Sequence, residues 1–134
     1  KTVIDYGCGS GILAIGAILM GAEYVVGVDN DTQALTATID NAQRNGIAAE
    51  KIPVFLPENT PSEAVDVMLA NILAGPLIDM ASRLAELTKT GGLIALSGIL
   101  EHQASAVIDA YEPWFDMHSV VSKEDWVRID GRKR

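Results

Sequence analysis

Cysteine occurs once in these 134 residues, as Cys8, so no disulfide can close within the chain and no cysteine cluster can hold a metal. A reducing, cytoplasmic setting is expected. No apolar run approaches the length of a membrane span, and no charged segment followed by an apolar stretch resembles a secretion signal. Basic residues are also scarce: 10 Lys and Arg stand against 18 Asp and Glu, a formal net charge of −8. That balance argues against direct binding to a nucleic-acid backbone, which needs a basic surface. It is compatible with a basic substrate, although ordinary solubility explains it first. The one basic cluster, Arg132-Lys133-Arg134, reads as a solvated end. Linkers, repeats and low-complexity tracts are missing too, so one domain over residues 1–134 is expected, as a monomer. The chain opens on Lys1 and runs directly into a strand-like segment, which reads as a domain truncated at its N-terminus.

What is present is alternation. Residues 2–6, 24–28, 52–56, 65–70 and 93–97 read as strands, the third weakened by Pro53. Helices are expected over 12–20, from a cap at Asp31 or Thr32 to Asn45, over 76–88 and over 101–110. The first is apolar nearly all round and predicts burial on most sides. In the second, Leu35, Ile39 and Ala42 share the inward face. The pair Gly91-Gly92 reads as a break before the fifth strand. Residues 115–122 and 126–129 are strand-like and only three residues apart, which permits antiparallel pairing alone. Strands alternating with helices predict an α/β fold, a parallel sheet covered on both faces, here with a terminal antiparallel hairpin.

The densest motif is Asp5-Tyr-Gly7-Cys-Gly9-Ser-Gly11, between the first strand and the first helix. Such a turn lets a ligand approach the backbone closely at a helix N-terminus. The dinucleotide fingerprint G-x-G-x-x-G fails, because its third glycine would fall on Ile12, and the Walker ending is absent. Asp5 points the same way. A carboxylate there would repel a pyrophosphate, whereas S-adenosylmethionine carries an ammonium and a sulfonium that it favours. Asp29 ends the second strand, where an acid can accept hydrogen bonds from both ribose hydroxyls. Asn71 ends the fourth strand and can offer its amide oxygen to an incoming amine. Gly7, Asp29 and Asn71 are expected to converge on one crevice beyond the strand ends. The competing reading of Asp29 and Asn71 is helix capping.

Together "VIDYGCGSGILAIGA", "GVDNDTQAL", "DNAQRNG", "ANILAGPL", "GGLIALSGIL" and "EDWVRIDGRKR" resemble the ribosomal protein L11 methyltransferase family over essentially the whole chain. "NILAGPL" and "LSGIL" are particular to that family, while the glycine loop belongs to class I methyltransferases generally. The resemblance implies a Rossmann-like class I methyltransferase sheet, mostly parallel. It implies methyl transfer from S-adenosylmethionine, leaving S-adenosylhomocysteine, to lysine ε-amines and the N-terminal α-amine of protein L11. It places Gly7 in the cofactor-binding loop, Asp29 at the ribose, and Asn71 beside the methionine end and the methyl acceptor; Asp5, Gly9 and Gly11 of the same loop are expected to bind the cofactor with them. It further implies a substrate-recognition domain, a linker and a cofactor-contacting threonine upstream of Lys1. Two rivals remain to be separated: an isolated cofactor-binding fragment without activity, and an NAD-dependent oxidoreductase.

No general base is evident. His102 and His118 qualify by residue type and are expected at the surface, without a metal. Cys8 reads as a small loop residue. Trp114, Phe115 and Trp126 are expected to pack the hairpin onto the sheet.

Overall fold

The computed structural model describes residues 1–134, apart from the Ser119 side chain. The chain divides into two compact units, Lys1–Glu63 and Ala64–Arg134. The first contains β1 (Thr2–Tyr6), α1 (Ile12–Leu19), β2 (Tyr24–Val28), α2 (Thr32–Arg44) and β3 (Val54–Phe55). β1 pairs with β2, and β2 with β3, both in parallel. The third strand is as weak as its proline predicts, at two residues. Pro53 contributes only its carbonyl, which accepts from the Gly27 amide. Valine-rich β2 is buried from Val25 to Val28, as a central parallel strand requires.

Asp31 caps α2, its Oδ1 accepting from the Gln33 amide at 2.9 Å. The inward face of that helix differs from expectation. Thr38 and Ala42 are buried, whereas Ile39 is exposed. The larger correction is α1. Only Ala14 and Ile15 are buried, and Ile12, Leu13, Leu19 and Met20 all reach solvent. A helix apolar on every side looks buried in the sequence, but this one rests on its unit along a single narrow stripe. A Cβ on Gly16 of α1 would meet nothing within 4 Å. Gly16→Ala should therefore stabilise the fold by about 0.5–1 kcal/mol, read as a raised Tm.

The second unit contains β4 (Val65–Asn71), α3 (Ala74–Asp79), α4 (Ala81–Glu86), β5 (Thr88–Leu100), α5 (Ala104–Tyr111), β6 (Phe115–Lys123) and β7 (Trp126–Lys133). β4 and β5 are parallel, and β5–β7 and β7–β6 are antiparallel, so the expected hairpin is present. The expected single helix over 76–88 is two short ones kinked at Met80. Hydrogen bonds from Met80 to Pro76 and from Leu84 to Met80 still carry across the kink. Gly91-Gly92 does not precede β5 but lies inside it. Val65 and Val67 of β4 face Thr88 and Leu93, so the residues between those two bulge outward.

Leu77, Leu84, Leu87, Ile94, Leu96, Ile99, Tyr111, Phe115 and Ile129 build the core of this unit. Tyr111 donates its hydroxyl to the Leu77 carbonyl at 2.7 Å, which ties α5 to α3, and burial pushes its phenol pKa up. The basic tail is structural rather than a free solvated end. Lys133 Nζ donates to the carbonyls of Ala85 and Thr88, closing the C-terminus of α4. Arg132 donates to the Gly91 carbonyl at 2.7 Å, and Arg134 pairs with Asp116. Among the described residues no helix is long and apolar enough to cross a membrane.

Candidate active site

The glycine loop leaves β1 and folds under the end of β2. The amides of Gly7 and Cys8 both donate to the Val28 carbonyl, at 2.7 and 2.9 Å. The Gly9 amide donates to Asp29 Oδ2 at 3.0 Å, and the Gly11 amide to the Cys8 carbonyl. These four N–H groups are thus spent within the chain. A pyrophosphate site needs such donors free and aimed at the anion. The loop presents a carboxylate at that point instead.

Asp29 accepts on both oxygens, from Gly9 on Oδ2 and from Asp31 on Oδ1, each at 3.0 Å. Each oxygen keeps a lone pair, so two hydroxyls of one ribose can still be accepted. Asp31, not Asp29, is the helix cap. Asp5 is 1% exposed, and neither of its carboxylate oxygens has a hydrogen-bond partner. Burial raises its pKa to about 6. The Ala14 amide favours the charged form without reaching hydrogen-bond geometry, and repulsion from Asp29 adds to the rise. An orphaned buried carboxylate is costly unless a cation or donor completes it. The ammonium of S-adenosylmethionine is such a group, and a Cβ-sized space lies open over Gly9. The residues present therefore fit that cofactor.

The sign of the Asp5 effect gives a test. A carboxyl whose folded pKa exceeds its unfolded value binds its proton more tightly when folded. Its contribution to stability falls as pH rises from 3.8 to about 6 and is constant above. Asp5→Asn should flatten the stability-against-pH curve of the ligand-free protein in that window. Denaturant midpoints taken across those pH values measure this, and an unchanged slope excludes Asp5 as its source.

Two residues outside the motif hold the loop from behind. Thr38 Oγ1 lies 3.0 Å from the Gly9 carbonyl and 3.4 Å from Cys8 Sγ, so its proton goes to the carbonyl. Asn41 donates to the Ser10 carbonyl at 2.9 Å. Gly11 serves the same packing. It sits at φ +86°, and a Cβ there would come within 2.9 Å of Thr38 Cγ2. Its lack of a side chain lets α2 approach the loop. The one sequence signal for this brace was a threonine amid the polar spacing of α2. Burial pushes the Cys8 thiol upward, so Cys8 is no nucleophile but a small filler under Thr38.

Asn71 belongs to the second unit, at the exposed end of β4. It lines a cleft of about 570 Å³ together with Leu73, Ser97, Gly98, Val121, Lys123, Trp126 and Arg128. Gly98, at φ +82°, forms a bulge in β5. A Cβ there would sit 3.1 Å from Asn71 Oδ1 and 2.8 Å from the Ile72 carbonyl, so glycine leaves the carboxamide its place. Phe115 is buried as expected. Trp126 is not packed onto the sheet: it is 53% exposed and forms a wall of this cleft. His102 and His118 are exposed and lie outside it.

The sequence model of the ribosomal protein L11 methyltransferase (PrmA) family matches residues 1–134. The chain belongs to this family. It is 58% identical over 134 residues to the ribosomal protein L11 methyltransferase of Marinobacter nauticus, covering all of this chain and 45% of that protein. Against the same-named protein of Cellvibrio japonicus it is 59% identical over 131 residues, 98% of this chain and 45% of that one. The chain thus spans about half the length of the curated relatives it matches. The crystal structure of the ribosomal protein L11 methylase of Lactobacillus delbrueckii subsp. bulgaricus superposes with a TM-score of 0.90 at 33% identity. That match covers 99% of this chain and 70% of the other. The fold is accordingly the Rossmann-like one of L11 methyltransferases, mostly parallel with antiparallel C-terminal strands.

Proposed function

We propose that the chain is the catalytic domain of an enzyme that methylates amino groups of ribosomal protein L11. The amines are lysine side chains and the N-terminal α-amine, and the donor is S-adenosylmethionine. The observation that carries the reading is the Gly9–Asp29 clasp over a buried, unpartnered Asp5. It favours a cationic nucleoside over a phosphate, and family membership agrees. When bound, the cofactor supplies a methyl group on a sulfonium, a leaving group that needs no acid.

The chain's own residues divide the remaining work. Asp29 takes the ribose hydroxyls and holds the loop closed through Gly9. Asp5 faces the ammonium end. Gly7, Gly9 and Gly11 shape the turn, Gly11 by admitting α2. Asn71 Oδ1 accepts a hydrogen from the acceptor amine, which orients its lone pair. The nitrogen so aligned would receive the methyl group that the cofactor supplies.

The test is a methylation assay on purified L11 with the full-length protein, with mass spectrometry locating each methyl group. Modified lysines and α-amine support the reading, and unmodified L11 overturns it. Titration with S-adenosylhomocysteine and with NADH separates the oxidoreductase, which requires the second to bind. Running residues 1–134 beside the full-length protein separates the inactive-fragment reading.

A further inference from the structure

The proposed reaction leaves one requirement unmet by any residue so far assigned. The acceptor must be a neutral amine, while a lysine starts with a pKa near ~10.4. Among the described residues, no histidine or carboxylate lines the Asn71 cleft to take the proton. The charged side chains that do line it are both cations, Lys123 on β6 and Arg128 on β7. The contributions of β4 and β5 to its lining are uncharged: Asn71, Ile72, Leu73, Ser97 and Gly98. The acids of β7 and of the turn before it are absent from that lining. Asp130 pairs with Arg128 Nε at 3.4 Å, and both line an adjoining cleft with His118. Asp125 faces another cleft with Glu101 and His102, and Glu124 sits in the tight turn at φ 58°. The remaining walls are apolar: Leu73, Val121 and Trp126 are each exposed into open space.

We propose that this cleft selects a neutral alkyl amine, its apolar walls holding the methylene stem while Lys123 and Arg128 disfavour the ammonium form. A like charge nearby lowers the pKa of an amine. The ammonium loses its proton to bulk water on entry, and the neutral amine hydrogen-bonds to Asn71. No general base is needed, because the cleft shifts an equilibrium instead of relaying a proton. The same charges act after each transfer. The methylated ammonium is again disfavoured, so it loses its proton and can be methylated once more, or it leaves. Lys123 carries most of the testable effect, since Arg128 shares its charge with Asp130.

This inference rests on the amine-methylation reading and is tested through it. The pH dependence of kcat for L11 methylation, at saturating L11 and cofactor, would be measured in the full-length protein carrying wild-type Lys123, K123R, K123Q or K123E. Lys123 is exposed, so the variants should fold, and unchanged S-adenosylhomocysteine affinity confirms it. The acidic limb should move to higher pH in the order wild type and K123R, then K123Q, then K123E. K123E should shift by about one pH unit, which is roughly tenfold in rate at a fixed pH below the amine's pKa. Added salt should move the wild-type limb upward and the K123Q limb less, because screening weakens the same repulsion. Superimposable limbs in active variants overturn the inference and leave the methylation reading standing. Loss of all L11 methylation by the wild-type protein overturns both.

Discussion

Asp29→Ala should weaken binding of S-adenosylhomocysteine by about 10²- to 10³-fold. The side chain has two duties, and both are lost together. Its two oxygens are the proposed acceptors for the ribose hydroxyls, and a hydrogen bond to a charged group contributes about 1.5–3 kcal/mol. Oδ2 also receives the Gly9 amide at 3.0 Å and Oδ1 the Asp31 amide at 3.0 Å, so truncation orphans two donors and frees the turn. Asp29→Asn separates the duties. Its amide can still accept once, so it should keep part of the loop geometry and recover part of the affinity. The measurement is calorimetric titration of each variant, with thermal unfolding to show that β2 and α2 remain in place. Affinity within threefold of wild type in Asp29→Ala would remove the ribose assignment.

Asn71→Ala should lower the kcat for L11 methylation by about 10²- to 10³-fold, with the fold retained. Asn71 is exposed, so its truncation creates no core cavity and no buried polar group is left unpaired. What is lost is orientation of the acceptor nitrogen, and positioning of that kind carries several kcal/mol of a displacement barrier. Asn71→Asp is the sharper variant. A carboxylate there would stabilise the ammonium that cannot attack, opposing the cations Lys123 and Arg128 in the same cleft. It should lose activity most at low pH and regain some as pH rises, whereas Asn71→Ala should be impaired at every pH. Single-turnover rates at saturating cofactor distinguish the two patterns. Equal turnover in wild type and Asn71→Ala would sink the assignment.

Much of the molecule is local in origin and was readable in one dimension. β1 and β2 were visible as short runs centred on valine and isoleucine, and their observed bounds match the expected ones. A cap at Asp31 or Thr32 was readable because Ser, Thr, Asp and Asn before an amphipathic run satisfy orphan amides, and Asp31 is the one that forms. The connection of three residues before Trp126 forced an antiparallel hairpin by reach alone. Within the site, the spacing of Gly7, Gly9 and Gly11 behind Asp5 excludes the dinucleotide pattern by itself. Each inference needed only neighbours within one turn or one strand.

What the chain's order could not show is which distant side chains share a space. Thr38 supports Gly9 across 29 residues of sequence, and nothing about a threonine in a helix announces that partner. Trp126, Lys123 and Arg128 join Asn71 in one cleft because β7 inserts between β5 and β6, a matter of strand order. Helix α1 looked buried because its composition is apolar, yet the area available beneath it covers only Ala14 and Ile15. The C-terminal Lys133 looked free because its partners, the carbonyls of Ala85 and Thr88, lie more than 40 positions away. Asp5 was visible as an acid, but its desolvation comes from packing around β1, and that sets its pKa near 6. Composition, periodicity and turn chemistry thus determined the elements and the loop that meets the ligand. Burial and long-range contact, which depend on how those elements stack, decided the charge state of Asp5 and the company Asn71 keeps.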